Sequence, residues 1–162
     1  MKNIVYHTFP AYYTKDSEIL ILGSMPSAKS RELGFYYMHP QNRFWKVLSI
    51  VFNEFIGNNV EDKKIFLNKH KIALWDVIES CEIAGSADSS IKNVKVNNIK
   101  RIIDKTNIKF IYCTGKKSYE LYNKYCLKDT NMSAVCLFSP SPANCAISLD
   151  KIVENYSFIN KE

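Results

Sequence analysis

The residues whose types and spacing could support chemistry lie mainly between Gly23 and Trp45. This segment opens with the small, rigid sequence GSMPS, which is typical of a tight turn. The loop that follows carries, within eight residues, Phe35, Tyr36, Tyr37, His39, Pro40 and Asn42. So many rings and polar groups in one connection favour a ligand site, whereas a connecting loop with buried aromatic side chains is the plainer alternative. We call residues 35–42 the aromatic loop.

Two regular elements must position the aromatic loop. The apolar run at residues 19–22 predicts a buried strand before it. A helix is predicted after it at residues 43–55, because Phe44, Val47 and Leu48 begin an amphipathic stripe. Open α/β sheets bind ligands where a strand ends in a loop that leads to a helix. We therefore expect the aromatic loop at the carboxyl edge of a sheet.

The remainder of the chain predicts the same architecture. Continuous apolar runs predict strands at residues 18–23, 72–75, 110–113 and 134–138. Helices are predicted at residues 43–55, 61–70, 96–106, 116–125 and 148–158, the last with Ser148 as its N-cap. Residues 1–17 predict an extended arm packed on the body, and residues 81–95 predict a polar loop. The expected fold is one α/β domain, residues 1–162, in which helices cover both faces of a four-stranded parallel sheet.

The composition is that of a folded, mildly basic protein. The 162 residues carry a formal net charge of +6 with a pI near 9.0, which hints at a polyanionic partner. No apolar run reaches the length of a membrane span, and we expect a soluble, cytoplasmic monomer. The five cysteines form no C-x-x-C pair, which argues against a disulfide framework or a zinc ribbon. Cys113 and Cys136 are expected to be small core residues.

Four loops should meet at one edge of the sheet, because the carboxyl ends of parallel strands share that edge: GSMPS, WDVIES, CTGKK and SPSPAN. None holds a dinucleotide-binding glycine motif or a P-loop, and the histidines are scattered, so no cofactor or metal is expected. A triad of Ser24, His39 and Asp76 can be drawn, but the serine lacks the elbow motif of such enzymes. The stiff SPSP segment fits either a wedge that separates a base from a duplex or an ordinary proline-rich turn.

Six segments in this order resemble the uracil-DNA glycosylase superfamily: GSMPS, GFYYMHPQNRFWKV, ALWDVI, GSADSSIKNV, GKKSYELY and SPSPAN. The resemblance covers nearly the whole chain and is closest to the hypoxanthine-DNA (DNA-deoxyinosine) glycosylase branch. It implies a three-layer α/β/α sandwich with a four-stranded parallel sheet and no metal or cofactor. It also implies excision of a deaminated base that is flipped out of DNA.

Two positions depart from the superfamily pattern. Most members carry Asp or Asn in the first motif to activate water, where this chain has Met25, whose thioether cannot accept a proton. Many begin the last motif with His or Asn, where this chain has Ser139. The hypoxanthine branch is similar in lacking both groups, and the resemblance gives the catalytic role to Asn42. A neutral amide that orients a water below C1′ predicts slow catalysis. Asn42 is equally consistent with a cap on the helix that follows.

The resemblance also implies which residues contact the substrate. Tyr37 would stack on the flipped base, and Asp76 would accept a hydrogen bond from N1–H of hypoxanthine. Asp76 could otherwise serve as a turn or helix cap. The expected base-binding set is Gly23, Ser24, Met25, Tyr37, Asp76 and Ser139, with the backbone around Gly23 and Ser24 at O6. The expected DNA contacts are Ser27, Lys29 and Lys116 with phosphates, and Ser139, Ser141 and Asn144 in the minor groove.

The predicted function is that of a monofunctional glycosylase that removes hypoxanthine from DNA, with uracil and xanthine as further candidate bases. Without a suitably placed lysine nucleophile, no strand cleavage is expected. One alternative is a uracil or mismatch glycosylase on the same fold. A second is a catalytically silent protein that binds damaged DNA, which Met25 and Ser139 suggest. A small-molecule hydrolase is the third, and it should lack an affinity for DNA that falls with salt.

Overall fold

The computed structural model describes residues 3–84 and 90–161. In chain order its strands are β1 (Asn3–Tyr6), β2 (Ile19–Gly23), β3 (Ile72–Asp76), β4 (Ile78–Ile83), β5 (Lys92–Val96), β6 (Phe110–Thr114) and β7 (Ala134–Leu137). Its α-helices are α1 (Ala28–Leu33), α2 (Phe44–Val51), α3 (Val60–Lys69), α4 (Ile99–Asp104), α5 (Lys116–Tyr125), α6 (Leu127–Thr130) and α7 (Leu149–Tyr156). Short 3-10 helices cover Pro142–Asn144 and Ser157–Lys161.

The central element is a four-stranded sheet in the order β3-β2-β6-β7, and every neighbouring pair is parallel. In the middle of it, Ile21 lies opposite Leu74 on one side and Tyr112 on the other. The parallel sheet predicted from the apolar runs is confirmed. Because all four strands point the same way, the chain segments that follow their carboxyl ends lie along one edge.

Alternate side chains of β2 pack into two separate cores, one on each face of the sheet. Ile19 and Ile21 face a core that includes residues of α2, α3 and α7, whereas Leu20 and Leu22 face a core that includes residues of α4 and α5. A strand buried on both faces explains why its sequence is a continuous apolar run. The expected three-layer α/β/α arrangement is thereby confirmed.

A second sheet corrects the prediction for residues 81–95. Instead of a polar loop, β4 and β5 form an antiparallel pair, and β1 of the N-terminal arm adds to the other side of β4 in the order β1-β4-β5. The polar stretch of the predicted loop at residues 85–89 lies outside the described residues. The prediction of an extended arm is confirmed, and Tyr12 further along it forms an isolated antiparallel bridge to Leu74.

Several helix boundaries differ from the predicted ones for local reasons. α2 starts one residue late and ends at Val51, because Phe52 is its C-cap and Asn53 adopts a left-handed backbone with φ 50°. α4 begins at Ile99 rather than at residue 96, since the Asn98 side chain accepts a hydrogen bond from Arg101 N. α5 was predicted with the observed bounds, and Ser148 caps α7 as expected. The short helices α1 and α6 were not predicted.

The cysteine prediction is half correct. Cys113 on β6 is fully buried, and burial raises the pKa of its thiol. Cys136 was expected in the core but is exposed, because β7 is the last strand of the parallel sheet. Among the described residues, no helix is both long and apolar enough to cross a membrane.

Candidate active site

A cleft of about 750 Å³ opens at the carboxyl edge of the parallel sheet. The ends of β2, β3 and β6 form its floor through Gly23, Asp76 and Thr114, and the aromatic loop and the segment after β7 contribute further walls. Ten of the twelve predicted site residues line it: Gly23, Ser24, Met25, Ser27, Lys29, Tyr37, Asn42, Asp76, Ser139 and Ser141. Lys116 and Asn144 are not among its lining residues. The four predicted loop segments thus meet largely as expected.

Helix α1 and a buried serine shape the start of the aromatic loop. Ser27 caps α1 by accepting a hydrogen bond from Ser30 N at 3.1 Å, and Gly34 ends the helix with φ 75°. The buried Ser30 hydroxyl accepts from Met38 N at 2.9 Å, which ties the far side of the loop back to α1. Ser27 therefore has a structural role in addition to its place in the cleft.

Tyr37 is held on two sides. Its ring stacks on Phe44 with centroids 3.8 Å apart, and its hydroxyl lies 3.0 Å from Thr114 Oγ1. Its backbone is left-handed at φ 55°, an uncommon conformation for a tyrosine that is often found at functional sites. Burial and the nearby Asp76 carboxyl raise the pKa of its hydroxyl, so the group stays neutral. The ring is thus a fixed, uncharged platform in the cleft wall.

Asn42 lines the cleft and also supports the start of α2. Its Oδ1 accepts a hydrogen bond from Phe44 N at 2.9 Å, whereas Arg43, the residue at the cap position, makes no side-chain capping bond. The helix was predicted to begin at Arg43, and in the structure it begins at Phe44. The capping role considered from the sequence is therefore present. Because Oδ1 has a second lone pair, both Oδ1 and the side-chain NH₂ can still bind a water or a ligand.

Arg43 joins the aromatic loop to the segment after β7. Its guanidinium donates to Ile147 O at 2.7 Å and to Asn144 O at 3.0 Å, and its backbone N–H donates to Pro140 O at 3.0 Å. From the sequence, residue 43 was identified as a helix start and as one of several basic residues that could meet phosphates. The three bonds hold the end of the aromatic loop, which carries Asn42, against the segment that carries Ser139.

The segment Ser139–Asn144 is an internally bonded turn. Ser139 Oγ accepts from Ser141 N at 3.2 Å, and the Asn144 side chain donates to Ser139 O at 3.0 Å. Asn144 was predicted to contact DNA, and here its side chain closes the turn. Gly115 lets this turn approach β6, since a Cβ there would lie 3.2 Å from Ser139 Cβ.

Asp76 at the end of β3 is paired with a histidine that sequence reasoning did not select. His7 Nε2 lies 2.8 Å from Asp76 Oδ2. The triad drawn from sequence required His39 beside Asp76, but His39 Nδ1 instead accepts from Gln41 N at 3.1 Å. That hypothesis is wrong because the N-terminal arm, rather than the aromatic loop, supplies the partner of Asp76. Nothing in the local sequence around His7 indicates this pairing.

The backbone on either side of Asp76 is also fixed. Val77 N donates to Gly23 O at 2.9 Å, and the buried Asn97 side chain donates to Asp76 O at 2.8 Å. Gly23 leaves room for the carboxylate, because a Cβ there would lie 2.5 Å from Asp76 Oδ1. The end of β3 therefore presents its carboxylate in one position.

The described residues contain no group of His, Cys, Asp and Glu side chains that could hold a metal ion. Among the groups that line the cleft are the neutral amide of Asn42, the buried carboxylate of Asp76 and the fixed aromatic ring of Tyr37. Such a set suits recognition of a planar, hydrogen-bonding ligand and orientation of a water.

Comparisons with known proteins agree with this geometry. The sequence profile of the Uracil DNA glycosylase superfamily matches residues 10–157. The chain is 36% identical over 114 residues to a hypoxanthine DNA glycosylase of Methanosarcina barkeri, covering 69% of this chain and 72% of that protein. It is 35% identical over 116 residues to the protein of the same name from Methanosarcina acetivorans, with the same shares of both chains.

A solved structure extends the likeness to the whole fold. The solution NMR structure of a Methanosarcina acetivorans protein, described as a candidate uracil DNA glycosylase, superposes with a TM-score of 0.79 at 29% identity. The superposition covers 98% of this chain and 99% of that one. The chain belongs to the uracil DNA glycosylase superfamily.

Proposed function

We propose that this protein is a DNA glycosylase that removes hypoxanthine from deaminated DNA and leaves an abasic site. The observation that carries the proposal is the convergence of Asn42, Tyr37 and Asp76 in one cleft at the carboxyl edge of the sheet. The two Methanosarcina relatives, both hypoxanthine DNA glycosylases, support the choice of base. DNA is the macromolecular substrate, and we propose that a monomer acts on it.

The base would be held by three kinds of contact. Tyr37, already immobilised by Phe44 and Thr114, offers an aromatic surface, and base–aromatic stacking contributes about 1–3 kcal/mol. The Asp76 carboxylate accepts the N1–H of hypoxanthine, and backbone N–H groups near Gly23 and Ser24 bind O6. A flipped base also has to leave its stack, and the stiff turn after β7, which lines the cleft, would fill the gap.

The proposed reaction is hydrolysis. A water adds to C1′ of the sugar and the C1′–N9 bond breaks. The base leaves with the bonding electron pair, and the proton that the water loses balances the one that the base takes up. The transition state has oxocarbenium character, so positioning and charge stabilisation matter more than a strong nucleophile. The Asn42 amide, anchored through Oδ1 to α2, orients this water. Because an uncharged amide is a poor proton acceptor, we expect slow turnover.

We also propose that the protein does not cleave the DNA strand. A lyase reaction needs an amine that forms a Schiff base with the sugar. Among the described residues that line the cleft, Lys29 is the lysine, and its ammonium lies 3.7 Å from Glu32 at the rim. We therefore expect an abasic product that is cut only by added alkali.

The test is a single-turnover assay with excess protein on duplexes that carry one hypoxanthine, uracil or xanthine. Alkali-sensitive cleavage at hypoxanthine, fastest of the three bases, is the expected result. Release of uracil alone would instead assign the protein to uracil repair. Tight binding with no base released would mean that the side chains of Met25 and Ser139 leave a silent binder of damaged DNA. Light scattering tests whether the protein is a monomer in solution.

A further inference from the structure

The N-terminal arm places a histidine against Asp76, a residue on the floor of the cleft. The His7 and Asp76 side chains meet at 2.8 Å and are only 3% and 5% exposed. The arm reaches this place because β1 pairs with β4 and His7 N donates to Glu79 O at 2.8 Å. The imidazole then packs on two rings, with its centroid 4.7 Å from that of Phe9 and 5.8 Å from that of Tyr36. Backbone pairing and ring contacts together leave His7 little freedom.

The hydrogen bond from His7 makes the two carboxylate oxygens of Asp76 inequivalent. Oδ2 accepts from His7 Nε2, to which we assign the proton because a carboxylate oxygen is the acceptor. Oδ1 lies beside Gly23, and no group within residues 3–84 and 90–161 donates a hydrogen bond to it. A carboxylate fixed at one oxygen cannot rotate freely, so Oδ1 remains an acceptor in one defined position within the cleft.

We propose that His7 is a positioning residue that sets the base preference of the cleft by fixing Asp76 as an acceptor. This inference rests on the proposed function. Hypoxanthine presents N1–H, a donor that matches Oδ1, whereas adenine presents an N1 lone pair that the carboxylate repels. The His7–Asp76 pair would thus favour binding of hypoxanthine over adenine, the base from which hypoxanthine forms by deamination. Without His7, Asp76 can turn or bind water, and the match to N1–H is lost.

Two substitutions separate this role from simple packing. His7→Phe keeps a ring against Phe9 and Tyr36 but removes the donor. His7→Gln gives up the ring but places an amide N–H donor at the same distance along the side chain as Nε2. His70→Phe is the matched control, since His70 lies 3.0 Å from Glu54 Oε1 and packs on Phe52 and Phe66, outside the cleft.

The readout is the ratio of single-turnover excision rates for hypoxanthine and for unsubstituted purine, which lacks both N1–H and O6. The missing O6 affects every variant equally, so a change in the ratio reports the N1–H contact. A hydrogen bond to a charged group corresponds to about 10-fold to 100-fold in rate. We expect His7→Phe to lower the ratio at least 10-fold, His7→Gln to restore it to within about threefold, and His70→Phe to leave it unchanged.

Other outcomes overturn the inference. If His7→Phe slows both bases equally, or if His7→Gln shows the same ratio as His7→Phe, His7 is only a packing residue. If His7→Phe does not fold, His7→Asn, whose amide is one bond shorter, replaces it, and an unchanged ratio there contradicts the proposal. Failure of the proposed function is a different result, because the unaltered protein then releases no hypoxanthine.

Discussion

Gly23→Ala is the substitution whose effect can be worked most directly from the structure. The new Cβ would lie 2.5 Å from Asp76 Oδ1 and 3.3 Å from the Tyr37 hydroxyl, whereas ordinary contacts begin at 3.4 Å. The carboxylate would have to move by about 0.9 Å, the difference between 3.4 Å and 2.5 Å. His7 opposes that movement from the other side.

The expected loss is one of activity more than of stability. A displacement of about 1 Å at a reacting site can slow catalysis about 100-fold, which corresponds to about 2.7 kcal/mol of activation free energy. Overpacking by one methyl group typically lowers stability by about 1–3 kcal/mol. We expect single-turnover excision of hypoxanthine to fall about 100-fold in a protein that still unfolds cooperatively.

Gly34→Ala is the control for lost stability. Its backbone is left-handed at φ 75°, so alanine is strained there, by roughly 1–2 kcal/mol. No atom lies within 4 Å of the added Cβ, and Gly34 is not among the lining residues of the cleft. Excision at the normal rate by Gly23→Ala, or an equal loss in both variants, would refute the assignment of Asp76 and Tyr37 to the base site.

Three further predictions concern the supports of the cleft, the DNA contact and the core. Arg43→Lys can keep only part of the bridge to Asn144 and Ile147, so hypoxanthine excision should fall about 10-fold; an unchanged rate would contradict the bracing role. A plot of the logarithm of the DNA-binding constant against the logarithm of the salt concentration has a slope set by the number of phosphate contacts. Because we expect the exposed Lys116 to contact a phosphate, Lys116→Ala should make this slope shallower by about 0.9. Lys128→Ala on α6 should leave the slope unchanged. Burial raises the pKa of Cys126 to about 11, so the folded protein holds this proton more tightly than the unfolded chain, and stability falls as pH rises from about 9 to 11. Cys126→Ala should flatten this decline in denaturant titrations, and an equally steep decline in the variant would contradict the prediction.

The parallel sheet could be predicted because its signal is local. Residues 19–22 and 72–75 are apolar in a row, as required of strands covered on both faces, and β2 and β3 occupy those positions. Their carboxyl ends then necessarily meet, which brings Gly23 and Asp76 together. Most of the candidate site could therefore be predicted from the parallel arrangement of the strands and from the aromatic loop between β2 and α2.

The second sheet and the partner of Asp76 could not be derived in the same way. β5 does carry an alternating pattern through Val94 and Val96, but a short strand of mixed polarity resembles a polar loop until its partner is known. The pairing of His7 with Asp76 spans 69 residues and depends on β1 adding to β4. Long-range pairing of this kind leaves no mark on the sequence near either residue.

Asn42 offers the most direct test of the central claim, that this cleft hydrolyses the glycosidic bond through an amide-oriented water. Asn42→Ser keeps a capping oxygen for Phe44 N but removes the amide, whereas Asn42→Ala removes both and should cost an additional 0.5–2 kcal/mol of stability, roughly. The measurement is the single-turnover rate of hypoxanthine release from duplex DNA, together with the melting temperature of each variant. We predict that Asn42→Ser melts near the unaltered protein yet releases hypoxanthine at least 100-fold more slowly, about the loss expected when a reacting water is misplaced. If Asn42→Ser matches the unaltered protein in both melting temperature and rate of hypoxanthine release, then Asn42 only caps α2 and the account is contradicted.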